Sequence, residues 1–226
     1  MDYEEETAVV LFSGGQDSTT CLYWAKNAFS KVIAIGFNYG QRHVVELEQA
    51  RQIADLARVE YTVVDLRGAL GGSALLESDT DLDAPHQQNE DLPASFVPGR
   101  NGVFLTIAAA HAYRLGIRNL VGGMCQVDYS GYPDCRREFI DSMEESLSLA
   151  LDAKLRIHTP VINKSKAEIW RMANELGVLD VVRELSHTDY NGNRDEEHDW
   201  GYGRLDNEAS RLRANGWQEA KEKGWI

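Results

Sequence analysis

The chain has 226 residues, enough to bury a full core as one large domain, with 43% hydrophobic and 26% charged residues. Its 36 acidic and 23 basic residues leave a net charge of −13, which argues against a general binder of nucleic acid or anionic membrane but leaves room for a local basic pocket. The cysteines, Cys21, Cys125 and Cys135, suit a reduced, cytoplasmic setting better than a disulfide framework; the acidic start, Met1 to Glu6, is unlike a signal peptide, and no apolar run is long enough to span a bilayer.

Taken in chain order, strand-like and helix-like runs alternate. Ala8 to Phe12 is an apolar run that predicts a buried parallel strand, and Thr19 to Asn27 predicts a helix. Val32 to Phe37 is a second strand. Glu46 to Arg58 follows as a helix with Leu47, Ala50, Ile53, Ala54 and Ala57 at helical spacing. Tyr61 to Leu66 is a third strand. Gly71 to Pro98 is polar, acidic and weakly periodic, and predicts a long loop or lid. Gly102 to Leu115 is an alanine-rich helix, Asn119 to Gly123 a fourth strand, Asp134 to Lys154 a helix and Ile157 to Pro160 a short fifth strand. Lys166 starts a further helix. Ser186 to Arg204 is irregular, and Asp206 to Lys223 predicts a mostly solvated helix. The alternation implies a doubly wound parallel α/β sheet, in one domain over 1–226 with a C-terminal appendage from about 186. Ligand is expected at the carboxyl ends of the strands.

One loop carries the chemistry. Ser13-Gly14-Gly15-Gln16-Asp17-Ser18 joins the first strand to the first helix. Such a turn aims several backbone N–H groups at one point, and the helix dipole adds to the field. Ser13 and Ser18 add hydroxyl donors, and the glycines let a phosphate approach the backbone. The loop lacks the lysine of a Walker motif and the spacing of a Rossmann fingerprint. S-G-G-x-D-S resembles instead the loop of the ATP pyrophosphatase (PP-loop) enzymes. That resemblance implies cleavage of ATP between its α- and β-phosphates, leaving AMP on a substrate oxygen. Asp17 is a candidate for Mg²⁺ or a bridging water, against the plainer role of a helix cap.

Four further segments narrow the resemblance. They are Phe96-Val97-Pro98-Gly99-Arg100-Asn101; Asp128 to Arg136; Thr159-Pro160 leading to Lys166-Ala167-Glu168-Ile169-Trp170; and Tyr190-Asn191-Gly192 with Leu212 to Trp217. With the loop, they make nearly the whole chain similar to the 7-cyano-7-deazaguanine synthase (QueC) family. The resemblance implies adenylation of 7-carboxy-7-deazaguanine, displacement of AMP by ammonia to give an amide, and a second ATP-dependent round that yields the nitrile. It also implies a homodimer with ATP and Mg²⁺. On this resemblance Lys166 contacts phosphate. Arg100 and Asn101 fix the substrate carboxylate or an ATP phosphate. Asp128 or Asp134 accepts from the base's N1–H and 2-amino group, with a structural cap as the rival for each, and Arg136 belongs to the same motif. Phe96, Tyr129 and Tyr132 are candidates to stack on the base. Cys135 reads as packing, since adenylation needs no protein nucleophile.

The chain departs from the family at the C-terminal zinc site. The four cysteine positions hold Asp189, Arg204, Asn207 and Ser210, so sulfur ligation is impossible there and zinc is not expected. His187, His198, Asp195 and Asp199 stand near, either as metal ligands or, as the favoured reading, within a solvated polar loop. Two alternatives to the ammonia reaction follow. In one, the activated base passes instead to an amine of a partner protein, as in antiviral defence, with Thr188 to Ser210 as the docking surface. The other is a non-catalytic nucleotide-binding scaffold, which ATP–pyrophosphate exchange separates from both. Nucleic acid and membrane are not expected as partners.

Overall fold

A computed structural model of the chain describes residues 6–40, 45–70, 85–86, 89–93, 95–127, 132–189 and 191–226. The first half runs β1 (Thr7–Leu11), α1 (Gln16–Ala28), β2 (Lys31–Asn38), α2 (Val45–Ala57) and β3 (Glu60–Asp65). Two short antiparallel strands, β4 (Pro85–His86) and β5 (Asn89–Pro93), come next. Then follow α3 (Arg100–Arg114), β6 (Asn119–Val121), a 3₁₀ turn (Pro133–Cys135), α4 (Arg137–Ala150) and β7 (Arg156–His158). The chain continues through α5 (Lys166–Glu175), α6 (Leu179–Leu185), β8 (Glu197–His198), β9 (Gly201–Tyr202) and α7 (Glu208–Glu222).

Five strands form one parallel sheet in the order β3-β2-β1-β6-β7. Val9 is in register with Ile33 on one side and Leu120 on the other. The chain winds outward from β1 first one way and then the other, so β1 and β6 diverge at the centre of the sheet. This is the doubly wound α/β arrangement, in which a crevice opens at the carboxyl ends of the central strands. Both faces of the sheet are covered, which is why its strands are apolar without alternation. Val9, Ile33 and Ile35 pack with Leu105, Ala108 and Ala112 of α3 and Ile140 and Leu147 of α4. Ala8, Val10 and Phe12 pack with Leu22 and Ala25 of α1, Ala50 and Ile53 of α2, and Ile169 of α5. Alanine on α3 brings that helix close to β1.

A third cluster joins α5, α6 and α7 around Trp170, Trp200 and Trp217. Trp170 and Trp217 meet edge to face, 4.9 Å between ring centroids. Arg213 is fully buried within this cluster, its guanidinium over the Trp170 ring at 5.1 Å. All its donors are matched: to the carbonyls of Val182, Arg183 and Trp200 and the hydroxyls of Ser186 and Thr188. Its neighbours are neutral acceptors, and burial lowers its pKa to about 9.

Several expectations change. The predicted helix from Asp134 splits, because Pro133 starts a 3₁₀ turn and Arg136, in extended backbone, restarts the chain as the cap of α4. That helix ends at Ala150, where Asp152 adopts a positive φ of 46°. The fifth strand is shifted to Arg156–His158. Helix α3 begins at Arg100, after Gly99 in the left-handed conformation. Within the region read as a loop, β4 and β5 pair, while residues 71–84, 87–88 and 94 lie outside the described residues. Helix α6 was not anticipated. Helix α7 is less solvated than its composition suggests: Ala209, Ser210, Arg213, Gly216, Trp217 and Ala220 make a buried stripe.

Candidate active site

Every element of the site meets at the end of β1. Phe12 N–H continues the ladder to the Ile35 carbonyl, and then Gly14 turns with a φ of 84°. The turn passes so close to α2 that a Cβ on Gly14 would lie 2.8 Å from the Ala50 nitrogen. Gly15 is the N-cap of α1 and leaves the first-turn N–H groups without a side-chain cap. Ser13 and Ser18 hold the loop's shape: their hydroxyls lie 3.1 Å apart, and Ser13 N–H donates to Ser18 Oγ at 3.3 Å. The loop thus presents donors at a helix N-terminus with its own geometry already fixed.

A cavity of about 310 Å³ opens over this loop, in the size range of small-molecule sites. Ser13, Gly15, Gln16, Asp17 and Ser18 form its floor. Lys166 enters from the start of α5, where Ser165 and Glu168 make a reciprocal capping box that fixes the helix end. Its Nζ donates to Asp17 Oδ2 at 2.7 Å, and both side chains are largely buried. The close packing of α7 on α5 sets this lysine: a Cβ on Gly216 would lie 2.5 Å from the Lys166 Cβ.

Opposite the loop, α3 contributes Arg100 and Asn101. Arg100 Nη1 lies 3.5 Å from the Tyr39 hydroxyl. Phe37 and Phe104 stack in parallel at 4.2 Å and both line the cavity, as do Tyr39 and Tyr132. Tyr132 is buried, with its hydroxyl 2.9 Å from Ser95 Oγ. Glu46, in the first turn of α2, also faces the cavity; burial raises its carboxyl to about 7, against the opposing charge of Arg100 and a hydrogen bond from Ser13.

The predicted residues thus divide. Ser13, Gly15, Gln16, Asp17, Ser18, Arg100, Asn101, Tyr132 and Lys166 share one cavity, while Gly14 packs against Ala50 and does not line it. Asp134 does not line it. Its carboxylate accepts the Asn101 N–H at 3.0 Å and caps α3, which is the structural role weighed for it. Arg136 is exposed at the start of α4, away from the cavity lining. Phe96 packs between His86 and Tyr132 and does not line the cavity itself. Cys135 lines it and accepts from Asn101 Nδ2 at 3.3 Å. Asp128 and Tyr129 lie outside the described residues. Glu46, Phe37, Tyr39 and Phe104 were missed. The signal for Phe37 and Tyr39 was their place at the carboxyl end of β2, and for Glu46 its place at the start of the helix that follows.

The segment after α6 is solvated only in part: Asp195 and Asp199 are exposed, but its start is not. His187 and Asp189 are buried, and with Thr188 they form one wall of the cavity. His187 N–H donates to the Gly14 carbonyl at 3.0 Å, which ties this wall to the loop. Burial pushes the His187 ring down to about 4, so it is neutral at pH 7.

The four positions that resemble a zinc site still converge. Asp189 accepts the Asn191 N–H at 2.7 Å and the Arg204 N–H at 2.8 Å, one on each carboxylate oxygen. Asn207 caps α7 by accepting the Ser210 N–H at 3.0 Å. A Cβ on Gly203 would meet both Asp189 and Ser210. Outside this knot the Arg204 guanidinium pairs with Asp195. These groups do not fit zinc: Asp189 is engaged by backbone donors, and the other three offer a guanidinium, an amide and a hydroxyl. His198 stacks on Trp200 and sits 3.0 Å from the Gly203 carbonyl, while Asp199 pairs with Lys221. Among the described residues no group of three or more His, Cys, Asp or Glu is placed to hold a metal.

Comparison with known proteins fits this geometry. The family model described as queuosine biosynthesis protein QueC matches residues 7–221. A 7-cyano-7-deazaguanine synthase of Wolinella succinogenes is 49% identical over 215 residues, covering 94% of this chain and 92% of that protein. One from Helicobacter pylori is 44% identical over 223 residues, covering 97% and 98%. Among solved structures, a U34-tRNA thiolase of Methanococcus maripaludis superposes with a TM-score of 0.52 at 16% identity, covering 97% of this chain and 66% of that one. A 4-thiouridine synthetase solved with RNA and ATP gives 0.52 at 18% identity, covering 78% and 42%. These two likenesses are of fold alone. The family match and the relatives, spanning nearly the full length, show that the chain belongs to the QueC family of queuosine biosynthesis proteins.

Proposed function

We propose that the chain is an ATP-dependent ligase that activates 7-carboxy-7-deazaguanine and joins it to ammonia. The observation that carries this is the Lys166–Asp17 pair standing over an uncapped, serine-lined helix N-terminus inside a ligand-sized cavity. A carboxylate oxygen attacks the α-phosphorus of ATP, the bond to the β-phosphate breaks, and pyrophosphate leaves. Loop N–H groups, Ser13, Ser18 and Lys166 are arranged to stabilise the charge that develops on the departing phosphates. Ammonia then attacks the acyl carbon, loses a proton, and AMP departs to give the amide. In a second round the amide oxygen takes AMP from another ATP; loss of AMP and the N–H protons yields the nitrile. Asp17 is the residue of the loop that would hold Mg²⁺, and the ion would draw charge from the leaving pyrophosphate.

The test is incubation of the protein with ATP, Mg²⁺, ammonium and 7-carboxy-7-deazaguanine. Pyrophosphate release and a mass matching the nitrile are expected. Failure of substrate-dependent ATP–pyrophosphate exchange would overturn the ligase reading in favour of a nucleotide-binding scaffold.

One observation supports a second acceptor. Asp189, at a position where the chain departs from the family pattern, lies in the cavity wall beside Thr188. The altered segment therefore borders the path by which an amine reaches the acyl adenylate, and access decides the product. On that reading the acceptor is an amine of a partner protein. Incubation with proteins encoded beside it, and no ammonium, would add a base-sized mass to one of them; free nitrile with no adduct excludes it.

A further inference from the structure

Glu46 is out of place in a pocket for anions. It accepts a hydrogen bond from the Ser13 hydroxyl, so it stands at the edge of the phosphate loop, and it lines the same cavity. A carboxylate there repels both a triphosphate and a substrate carboxylate. The Ser13 hydroxyl and the charge of Arg100 offset part of that cost, and a ligand edge rich in N–H donors would complete the match to the carboxylate.

The neighbouring groups define that edge. The charge of Arg100 acts on Glu46 from α3, so a rigid donor fork and a bidentate acceptor share this side of the cavity. A guanine-type ring presents the complement along one edge: O6 accepts, while N1–H and the 2-amino group donate. Adenine, which accepts at N1 and donates only at N6, offers a single donor to an ionised carboxylate. The stacked Phe37 and Phe104 rings supply a flat wall for a planar ligand, with Tyr39 5.4 Å from Phe104.

Resting on the proposed function, we infer that Glu46 is the specificity-determining residue for the deazaguanine ring, accepting from N1–H and the 2-amino group, while Arg100 donates to O6 and Phe104 covers the ring face. The carboxyl group on C7 flanks O6, so Arg100 is on the side of the ring that carries the reacting carboxylate. Glu46 thereby takes the role that Asp134, committed to capping α3, does not fill.

The experiment is calorimetric binding without turnover. Wild type and Glu46→Gln are each titrated with 7-carboxy-7-deazaguanine, with its analogue lacking the 2-amino group, and with a non-hydrolysable ATP analogue. Wild type should prefer the 2-amino ligand by about 10- to 100-fold, the worth of a charge-assisted hydrogen bond. Glu46→Gln should lose about tenfold or more of that preference and keep its affinity for the ATP analogue, which also reports a folded site. Glu46→Asp, which withdraws the carboxylate by one methylene, gives the same readout should Gln disturb the fold. An undiminished preference in the variants overturns the inference while leaving the proposed function standing. So does weakened binding of the ATP analogue with binding of the base unaltered, which would assign Glu46 to the nucleotide. Failure of wild type to bind 7-carboxy-7-deazaguanine at all overturns the proposed function, and this inference with it.

Discussion

Lys166 Nζ lies 2.7 Å from Asp17 Oδ2 although 149 residues separate them. The pair closes the loop between β1 and α1 from the side of α5, and on the proposed function it puts a positive charge where pyrophosphate leaves. Asp17→Asn removes the carboxylate without changing the shape of the loop. It should lower ATP–pyrophosphate exchange by about 100-fold or more while the melting temperature stays near wild type. Lys166→Met should lower exchange comparably and also destabilise, by about 1–3 kcal/mol, because Asp17 is left largely buried without its cation. Exchange at the wild-type rate in Asp17→Asn would remove the loop from the ATP site.

Gly14→Ala probes the loop by shape alone. Its φ of 84° is strained for alanine, and the new methyl would press on the backbone of Ala50. A loss of about 1–3 kcal/mol in stability is expected, together with weaker ATP binding, by thermal melts and calorimetry. Weaker ATP binding with unaltered stability would show that the loop moves away from α2 freely.

Arg213 is expected to be among the costliest surface-remote positions. Arg213→Met keeps much of the packing on Trp170 but orphans the carbonyls of Val182, Arg183 and Trp200. A loss of about 3 kcal/mol or more follows, a fall of roughly 6–12 °C in melting temperature for a chain of this size. Lysine should not rescue it, since an ammonium lacks the flat fork that reaches five acceptors. A melting temperature equal to wild type in either variant would refute the assignment of these bonds as structural.

The wall around Asp189 should behave as a metal-free element. Elemental analysis should find no stoichiometric zinc, and a chelator should leave the melting curve in place. Asp189→Ala should lower stability by about 1–3 kcal/mol, because two backbone N–H groups lose a buried acceptor. About one zinc per chain would overturn this.

Glu46 gives a pH signature. Its folded-state carboxyl, raised to about 7 from the ordinary 4.5, binds a proton that the unfolded chain has released between those values. Stability is therefore lost as pH rises from about 4.5 to 7 and is level above that. Arg100 of α3, Tyr39 after β2 and Tyr61 of β3 are the titratable groups that face it. Glu46→Gln should remove this slope, making the variant more stable than wild type at pH 8 by roughly 1–3 kcal/mol but not at pH 4.5. Parallel melting curves of the two proteins across that range would contradict the raised carboxyl.

Much of this architecture was legible from residue pattern. Strands buried on both faces read as unbroken apolar runs, so β1 and β2 stood out, and a glycine pair between β1 and a helix marked the crevice. What escaped depends on contacts distant in sequence. Pro133 breaks a helix that hydrophobic spacing alone would carry from Asp134. The burial of α7 is invisible in its charged composition, because Trp217 and Arg213 find partners on α5 and α6. Glu46 resembles any acid in a first helical turn; only the approach of α2 to Gly14 brings it to the cavity. Asp134 and Arg136 sat in a specific motif, yet the turn of Pro133 aims one at a helix end and the other at solvent.

The hydrogen-bond knot at Asp189 also changes what the protein requires of its surroundings. A wall built on thiolates and a bound ion would open when the ion is scarce or the sulfurs are oxidised. Here the same four positions are held by the Asp189 carboxylate, the Asn207 side-chain amide and the backbone N–H groups of Arg204 and Ser210, with that of Asn191. None of these groups is readily oxidised or dissociates on dilution. On that reading, this wall of the cavity closes by hydrogen bonding alone, and its assembly should not depend on the supply of zinc.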